Sequence, residues 1–364
     1  MVSFRKFITI INSFDLIMMI HSLLQTLLDQ QASDLHLSVG EPPLLRIDGR
    51  LQRLALPVLD QAGLQQLVQP LLDTTHAQAW LQGGECDAGI GLEGLGRFRL
   101  HAFWQLRGAA AAIRQLPQQP PTLAGLGLPP QLGDWVLRPH GLLLVCGATG
   151  AGKSTTLAAL VQHLASQRPC HILTLEDPIE CVHPPGQALI QQREIGRHCS
   201  GFASALRAAL REDPDCLLIG ELRDADTIRL ALTAAETGHL VLASLHAGTP
   251  ERAVDRLIDA FPAGDKELVR GMLADTLLAI TAQVLCRPAS GQGRIAALEL
   301  LHATPAIRHQ LREGRSSQLY SAMQTGARHG MQTLDQQLQQ LLLQQRITLA
   351  EARCHARFPE QLCG

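Results

Sequence analysis

Residues 147–154 read Gly147-Ala148-Thr149-Gly150-Ala151-Gly152-Lys153-Ser154 and match G-x-x-x-x-G-K-[ST] at every position. The pattern has a physical content. Glycines let backbone N–H groups converge on anionic oxygens at a helix N-terminus, whose dipole favours negative charge. Lys153 can then reach the β and γ phosphates of a nucleoside triphosphate, and the Ser154 hydroxyl can coordinate Mg2+. An apolar run at 142–146 precedes the loop and a helix-like stretch at 155–165 follows it. Strand, loop and helix therefore stand in the order a phosphate cradle needs, and residues 147–155, ending in Thr155, are the candidate ATP-binding segment.

Hydrolysis needs a carboxylate as well. Cys216-Leu217-Leu218-Ile219-Gly220-Glu221 reads as a buried strand that delivers Glu221 to its C-terminal end, where open α/β sheets bind ligands. There Glu221 would orient and polarise the attacking water. The generic pattern has an acid where Gly220 stands. A second acidic cluster, Glu176-Asp177-Pro178-Ile179-Glu180, follows the apolar run 172–175. Glu176 is placed there as a catalytic acid and Asp177 as a contributor to the metal's water shell. The stretch Gly238-His239-Leu240-Val241-Leu242-Ala243-Ser244-Leu245-His246 brackets a further strand with two histidines. His246, at the strand's end, can sense a γ-phosphate or carry a hydrogen bond between the nucleotide and a neighbouring subunit.

These groups need a scaffold, and the text suggests one. Apolar runs at 141–146, 171–175, 216–219 and 240–244 alternate with helical patterns, which predicts a parallel α/β domain. Upstream, Leu35, Leu37 and Val39 alternate with polar residues, and Leu44 to Leu51 reads as a hairpin turning at Asp48-Gly49. Residues 59–80 read as helical, and in 97–103 Arg97 and Arg99 lie opposite Phe98, Leu100 and Ala102. Residues 108–114 are ambiguous, alanine-rich yet placed where a paired strand is expected. Pro117-Gln118-Gln119-Pro120-Pro121 is the expected linker. The expected organisation is an extension at 1–19, a first domain at 20–116, the linker at 117–121, an ATPase core at 122–294 and a helical region at 295–364.

Composition narrows the function classes. The chain has 364 residues, 46% hydrophobic and 18% charged, enough apolar material for a sizeable core. Net charge is −2 and aromatics are 3%, which argues against nucleic acid as a partner. Nine cysteines form no CxxC pair, so neither a disulfide framework nor a zinc site is indicated. Arg5 and Lys6 precede a mostly apolar stretch at 7–28, but Asn12, Ser13 and Asp15 interrupt it. It reads as a short extension, with Met18 or Met19 as a plausible start, and not as a spanning helix.

Taken together, the motifs resemble those of the secretion and pilus motor ATPases, and within them the twitching-motility (PilT-like) retraction ATPases. The matching runs are Ala32 to Leu37, Gly147 to Thr156, Leu173 to Pro178, Ala208 to Asp215, Gly220 to Asp224, Thr233 to Leu240 and Gly330 to Asp335. The resemblance implies a RecA-like P-loop domain with a smaller PAS-like α+β domain before it and a helical C-terminal region. It implies a homo-hexameric ring with ATP and Mg2+ bound, working on an inner-membrane platform protein from the cytoplasmic face of that membrane. It also implies roles: an acidic box around Glu176, Glu221 as the catalytic carboxylate, and a histidine box with His239 and His246. Arg99 and Arg114 match the positions of two phosphate-contacting arginines of the first domain, and Arg256 is a weaker third. Assembly and type II secretion ATPases usually carry a paired-CxxC zinc element, where this chain has only Cys286. Residues 306–313, Ala-Ile-Arg-His-Gln-Leu-Arg-Glu, match the retraction motif AIRNLIRE except at His309 and Gln310. The expected function is thus a motor for pilus retraction or a related type II secretion or pseudopilus machine. The alternatives are a RecA-like nucleic-acid translocase and a non-hydrolysing, ATP-sensing scaffold subunit.

Overall fold

The computed structural model describes residues 13–47 and 49–363, so residues 1–12 of the expected extension and Asp48 of the expected turn lie outside the described residues. The chain divides into two compact units, Met1–Gln118 and Gln119–Gly364.

The first unit opens with helix α1 (Ser13–Asp29), which runs across the boundary expected at residue 19. Strands β1 (Asp34–Ser38), β2 (Leu44–Ile47) and β3 (Arg50–Arg53) follow. Ile47 pairs with Arg50, leaving a two-residue connection in which Gly49 has φ +80°. The expected helical stretch 59–80 is two helices, α2 (Gln61–Val68) and α3 (Thr74–Leu81), with Pro70 between them. Asp60 and Asp73 cap their first turns, so the capping chemistry as well as the proline favours the break. Strands β4 (Cys86–Leu92), β5 (Gly96–Gln105) and β6 (Gly108–Gln115) complete a six-stranded sheet in the order β3-β2-β1-β6-β5-β4. All its pairings are antiparallel.

The ambiguous segment 108–114 is thus a strand. Alanine's helix propensity is worth only tenths of a kcal/mol per residue over the alternatives, about 0–0.7. Pairing with β1 on one side and β5 on the other outweighs it. Ala109, Ala111 and Ile113 point into the core with Phe98, Leu100 and Ala102 of β5, the alternation expected for a half-buried strand.

The second unit is built on a seven-stranded sheet. Its elements are α4 (Gln131–Val136), β7 (Gly141–Cys146), α5 (Lys153–Gln167), β8 (His171–Glu176), β9 (Leu189–Glu194), α6 (Phe202–Ala209), β10 (Cys216–Ile219), α7 (Ala225–Glu236) and β11 (Leu240–Leu245). They continue with α8 (Pro250–Asp259), α9 (Lys266–Thr276), β12 (Leu277–Cys286), β13 (Ile295–His302), α10 (Pro305–Arg312), α11 (Leu319–Thr325), α12 (Leu334–Leu343) and α13 (Leu349–His355). The strand order is β13-β12-β7-β11-β10-β8-β9. Every neighbouring pair is parallel except β12 with β13. Strands β7, β10 and β11 are buried at every residue, because helices cover both faces of the sheet.

One boundary differs from expectation. Residues 295–302 are not helical: they form β13, which zips to β12 over eight residue pairs. The β12–β13 hairpin is Leu- and Ala-rich, so its composition resembles a helix, and only its place at the sheet edge makes it a ribbon. The helices begin at Pro305. Among the described residues no helix is long and apolar enough to cross a membrane.

Candidate active site

Parallel strands release their loops at one edge, and the register brings four of those ends level. Cys146 pairs with Leu245, Ile219 with Ala243, and Leu175 with Ile219. The residues that follow these strands are the phosphate-loop candidate, His246, Glu221 and the Glu176-Asp177 cluster. The sheet therefore gathers along its C-terminal edge groups that are far apart in the chain, as open α/β sheets do at their ligand sites.

The loop leaves β7 at Gly147, whose φ is +152°. A Cβ there would lie 2.8 Å from the Ala151 Cβ and 2.8 Å from the Gln283 carbonyl, so only glycine fits. Gly152 precedes α5 with φ +86° and offers no side-chain cap. The first-turn N–H groups of α5 are thereby left for an anion. Lys153 donates from Nζ to the carbonyls of Gly147 and Ala148, both at 3.0 Å, so its ammonium lies across the mouth of the loop. Burial pulls its pKa down, while the negative charge of Glu221 acts in the opposite direction. Ala148, Thr149, Gly150 and Ser154 are exposed, Thr155 is half-buried, and Ala151 packs inward. A loop that starts at a glycine with no room for a side chain, a lysine on its carbonyls and an exposed hydroxyl at the helix start fit a nucleoside polyphosphate with its metal.

Glu221 sits just past β10, its side chain 16% exposed. Its Oε2 accepts from Arg223 Nε at 2.8 Å, and its Oε1 lies 3.4 Å from His246 Nε2. Burial lowers the pKa of His246, Lys153 lowers it further, and Glu221 opposes both. The imidazole is therefore neutral near pH 7 and can accept or donate a hydrogen bond. Arg256 donates to the His246 carbonyl at 2.7 Å, which fixes the backbone at that strand end.

Glu176 and Asp177 differ in their surroundings. Glu176 accepts from Thr174 Oγ1 at 2.7 Å and from Gln192 Nε2 at 3.1 Å, and burial pushes its pKa up. It is tied into the sheet between β8 and β9. Asp177 is more open and has Arg223 Nη1 at 3.8 Å. Buried Glu194 holds the following loop by accepting from the Ile179 N–H at 3.0 Å.

Gly220 has a steric reason. A Cβ at this position would lie 3.1 Å from the Leu175 carbonyl and 3.4 Å from the Glu176 Cα. The acid that generic P-loop proteins have here would crowd the tip of β8, whose backbone would have to give by a few tenths of an ångström. The Gly220 N–H instead donates to Leu175 O at 2.7 Å.

The two histidines of the expected box are separated. Gly238, φ +106°, ends α7, and the His239 N–H returns to the Ala234 carbonyl at 3.0 Å. His239 Nδ1 lies 3.0 Å from the same carbonyl. It stands at the N-terminal end of β11, with six strand residues between it and His246.

In the first unit Arg99 and Arg114 are direct cross-strand partners on β5 and β6. Arg114 is in turn opposite Asp34 of β1, from which its Nε is 2.8 Å distant. Arg99 Nε donates to Asp87 Oδ1 at 2.9 Å. Two guanidinium groups thus stand side by side on one sheet face, each with an aspartate.

Two further residues of the second unit hold the site, and the sequence reading assigns neither a role. Arg223 joins the two acidic clusters, and Gln283 of β12 reaches across to the phosphate loop. Gln283 is 2% exposed; its Nε2 donates to the Ala151 carbonyl and its Oε1 accepts from Thr156 Oγ1 at 2.9 Å. Arg223 lies within the run Gly220 to Asp224, so a search for a cation beside two acids would have found it. Gln283 has no local signal, because its partner is more than a hundred residues away.

The chain is similar to known proteins over most of its length. The family model described as Type II/IV secretion system protein matches residues 12–351. The type IV pilus retractation ATPase PilT of Pseudomonas aeruginosa is 46% identical over 335 residues, covering 91% of this chain and 96% of that protein. The uncharacterized protein YggR of Escherichia coli is 49% identical over 307 residues, covering 84% and 93%. Among solved structures, the pilus retraction motor PilT with bound ADP superposes with a TM-score of 0.86 at 41% identity, covering 94% of this chain and 98% of that one.

Proposed function

The chain belongs to the type II/IV secretion system protein family, and from that premise we propose that it is an ATP-hydrolysing motor for type IV pilus retraction or a related type II secretion or pseudopilus machine. It works as a homo-hexamer on a membrane-embedded platform protein, at the inner face of the cytoplasmic membrane. The observation that carries the reading is the carboxylate of Glu221, held between Arg223 and a neutral His246 on the same sheet edge as Lys153.

Each residue then has a task. Backbone N–H groups of 147–155 and the Lys153 ammonium bind the β and γ phosphates of ATP. Glu221 orients the attacking water and withdraws its proton as the bond to phosphorus forms. Arg223 keeps that carboxylate in place, and His246 links it to the phosphate side of the edge. Glu176, fixed by Thr174 and Gln192, supports the acidic loop from below. Arg99 and Arg114 neutralise charge on the transferred phosphoryl group. Ser154 would hold Mg2+ directly and Asp177 would hold it through its water shell. Bound there, the metal would neutralise charge on the phosphates.

Turnover of the purified protein tests the assignment. Lys153→Ala is expected to lose both ATP binding and turnover. Glu221→Gln is expected to bind ATP and lose turnover by a factor of about 100 or more. Equal hydrolysis by the two variants and the parent would show the site to be misassigned. Unchanged pilus retraction in a deletion strain would reassign the client machine and leave the ATPase site standing.

A further inference from the structure

The C-terminal helices bring together three donors that the motor chemistry does not use. Cys286 ends β12 with its side chain fully buried. Glu351 and His355 stand one turn apart on α13. The Cys286 sulfur, a Glu351 carboxylate oxygen and a His355 ring nitrogen all lie within 4.8 Å of one another. His355 Nε2 is already 3.2 Å from Glu351 Oε1. We propose that Cys286, Glu351 and His355 form a zinc site, closed by a water molecule, that fastens α13 to the end of β12.

Geometry and chemistry both favour this. Tetrahedral Zn2+ binds sulfur at about 2.3 Å and nitrogen or oxygen at about 2.0–2.2 Å, which puts neighbouring donors roughly 3.2–3.7 Å apart. The widest separation here closes to that range by about 1 Å, within reach of side-chain rotation. A mixed sulfur, nitrogen and oxygen set suits zinc and not Mg2+ or Ca2+, which prefer oxygen alone. The carboxylate is oriented in advance, because Glu351 Oε1 accepts the Arg287 N–H at 2.7 Å. The backbone is firm as well: Cys286 and Ala352 of α13 belong to one small core with Ala297, Leu338, Leu341 and Ile347. Access is from the outer side, where the Glu351 and His355 side chains are 17% and 28% exposed.

Charge also balances. A free thiol carries its proton at neutral pH. On binding, the S–H bond breaks, the sulfur gives its electron pair to Zn2+, and one proton leaves to solvent. Thiolate and carboxylate together then cancel the two charges of the ion, leaving a neutral group at the edge of a core. Motif reading finds no such site because the cysteine lies on a different element, far in sequence from a helix that carries the other two donors.

The test uses the full chain in a Cys354→Ser, Cys363→Ser background, which removes the two exposed thiols. After chelator treatment the protein is titrated with Co2+ and then Zn2+. The expected result is a thiolate-to-cobalt charge-transfer band with tetrahedral visible bands, saturating at one ion per chain and displaced by Zn2+. Cys286→Ser should abolish the charge-transfer band. His355→Gln and Glu351→Gln, at partly exposed positions that leave the fold intact by circular dichroism, should weaken Zn2+ binding by about 10–100-fold. Absence of the band in the background protein would overturn the proposal. So would parental Zn2+ affinity in folded His355→Gln and Glu351→Gln.

Discussion

Replacing Gln283 by Met should loosen the phosphate loop without touching any group that contacts phosphate. The substitution keeps the side chain's length and removes both polar ends. It leaves two buried groups without their partner: the Ala151 carbonyl and the Thr156 hydroxyl, the latter on a residue 2% exposed. An orphaned buried polar group costs about 1–3 kcal/mol, so the pair should cost roughly 2–5 kcal/mol after some relaxation. That is a large share of the ~5–15 kcal/mol by which typical proteins are stable. Thr156→Val alone removes one partner of the same network. The double variant should therefore be less destabilised than the sum of the singles, by about 1 kcal/mol. Chemical denaturation, following the transition of the second unit, reads the three values. Binding of a fluorescent ADP analogue reads the functional side: each ~1.4 kcal/mol of loop order lost appears as a tenfold weaker affinity. If Gln283→Met unfolded within about 0.5 kcal/mol of the parent and bound ADP equally well, Gln283 would not be what holds the loop.

Two further outcomes follow from other contacts. Burial holds the His183 pKa at about 4 in the folded protein, against 6.5 when exposed. The unfolded chain takes up the proton first, so stability should fall as pH drops from about 6.5 towards 4, by up to about 3 kcal/mol, and His183→Asn should flatten that slope in denaturation curves recorded across this range. Gly220→Asp, which restores the generic acid, should destabilise by about 1–3 kcal/mol and slow turnover, because its Cβ meets the backbone at the β8 tip. A variant as stable and active as the parent would show that the tip has room.

Much of the site is legible in the amino-acid sequence. The phosphate loop, Glu221, the Glu176-Asp177 cluster and His246 each announce themselves by residue type at or directly after the end of an apolar run. Four of the parallel strands, β7, β8, β10 and β11, are short apolar runs bounded by turn residues, which is how a fully buried strand reads. Strands β9, β12 and β13 are not legible in this way. The first is mixed polar at the sheet edge, and the other two carry leucine and alanine, which suit helix and strand alike. The alanine strand β6 is ambiguous for the same reason, and its neighbours β1 and β5 decide it.

The sequence by itself determined which groups are candidates for the chemistry, because a G-x-x-x-x-G-K-S loop and a strand that presents a carboxylate are local patterns of a few residues. Only the tertiary structure decided who holds them. The link from Arg223 to Asp177, the Gln283 clamp and the meeting of Cys286 with Glu351 and His355 depend on strand order and on where helices land. Such contacts join residues whose spacing along the chain carries no signal. Their energies come from burial and pairing across the sheet, which local propensity does not contain.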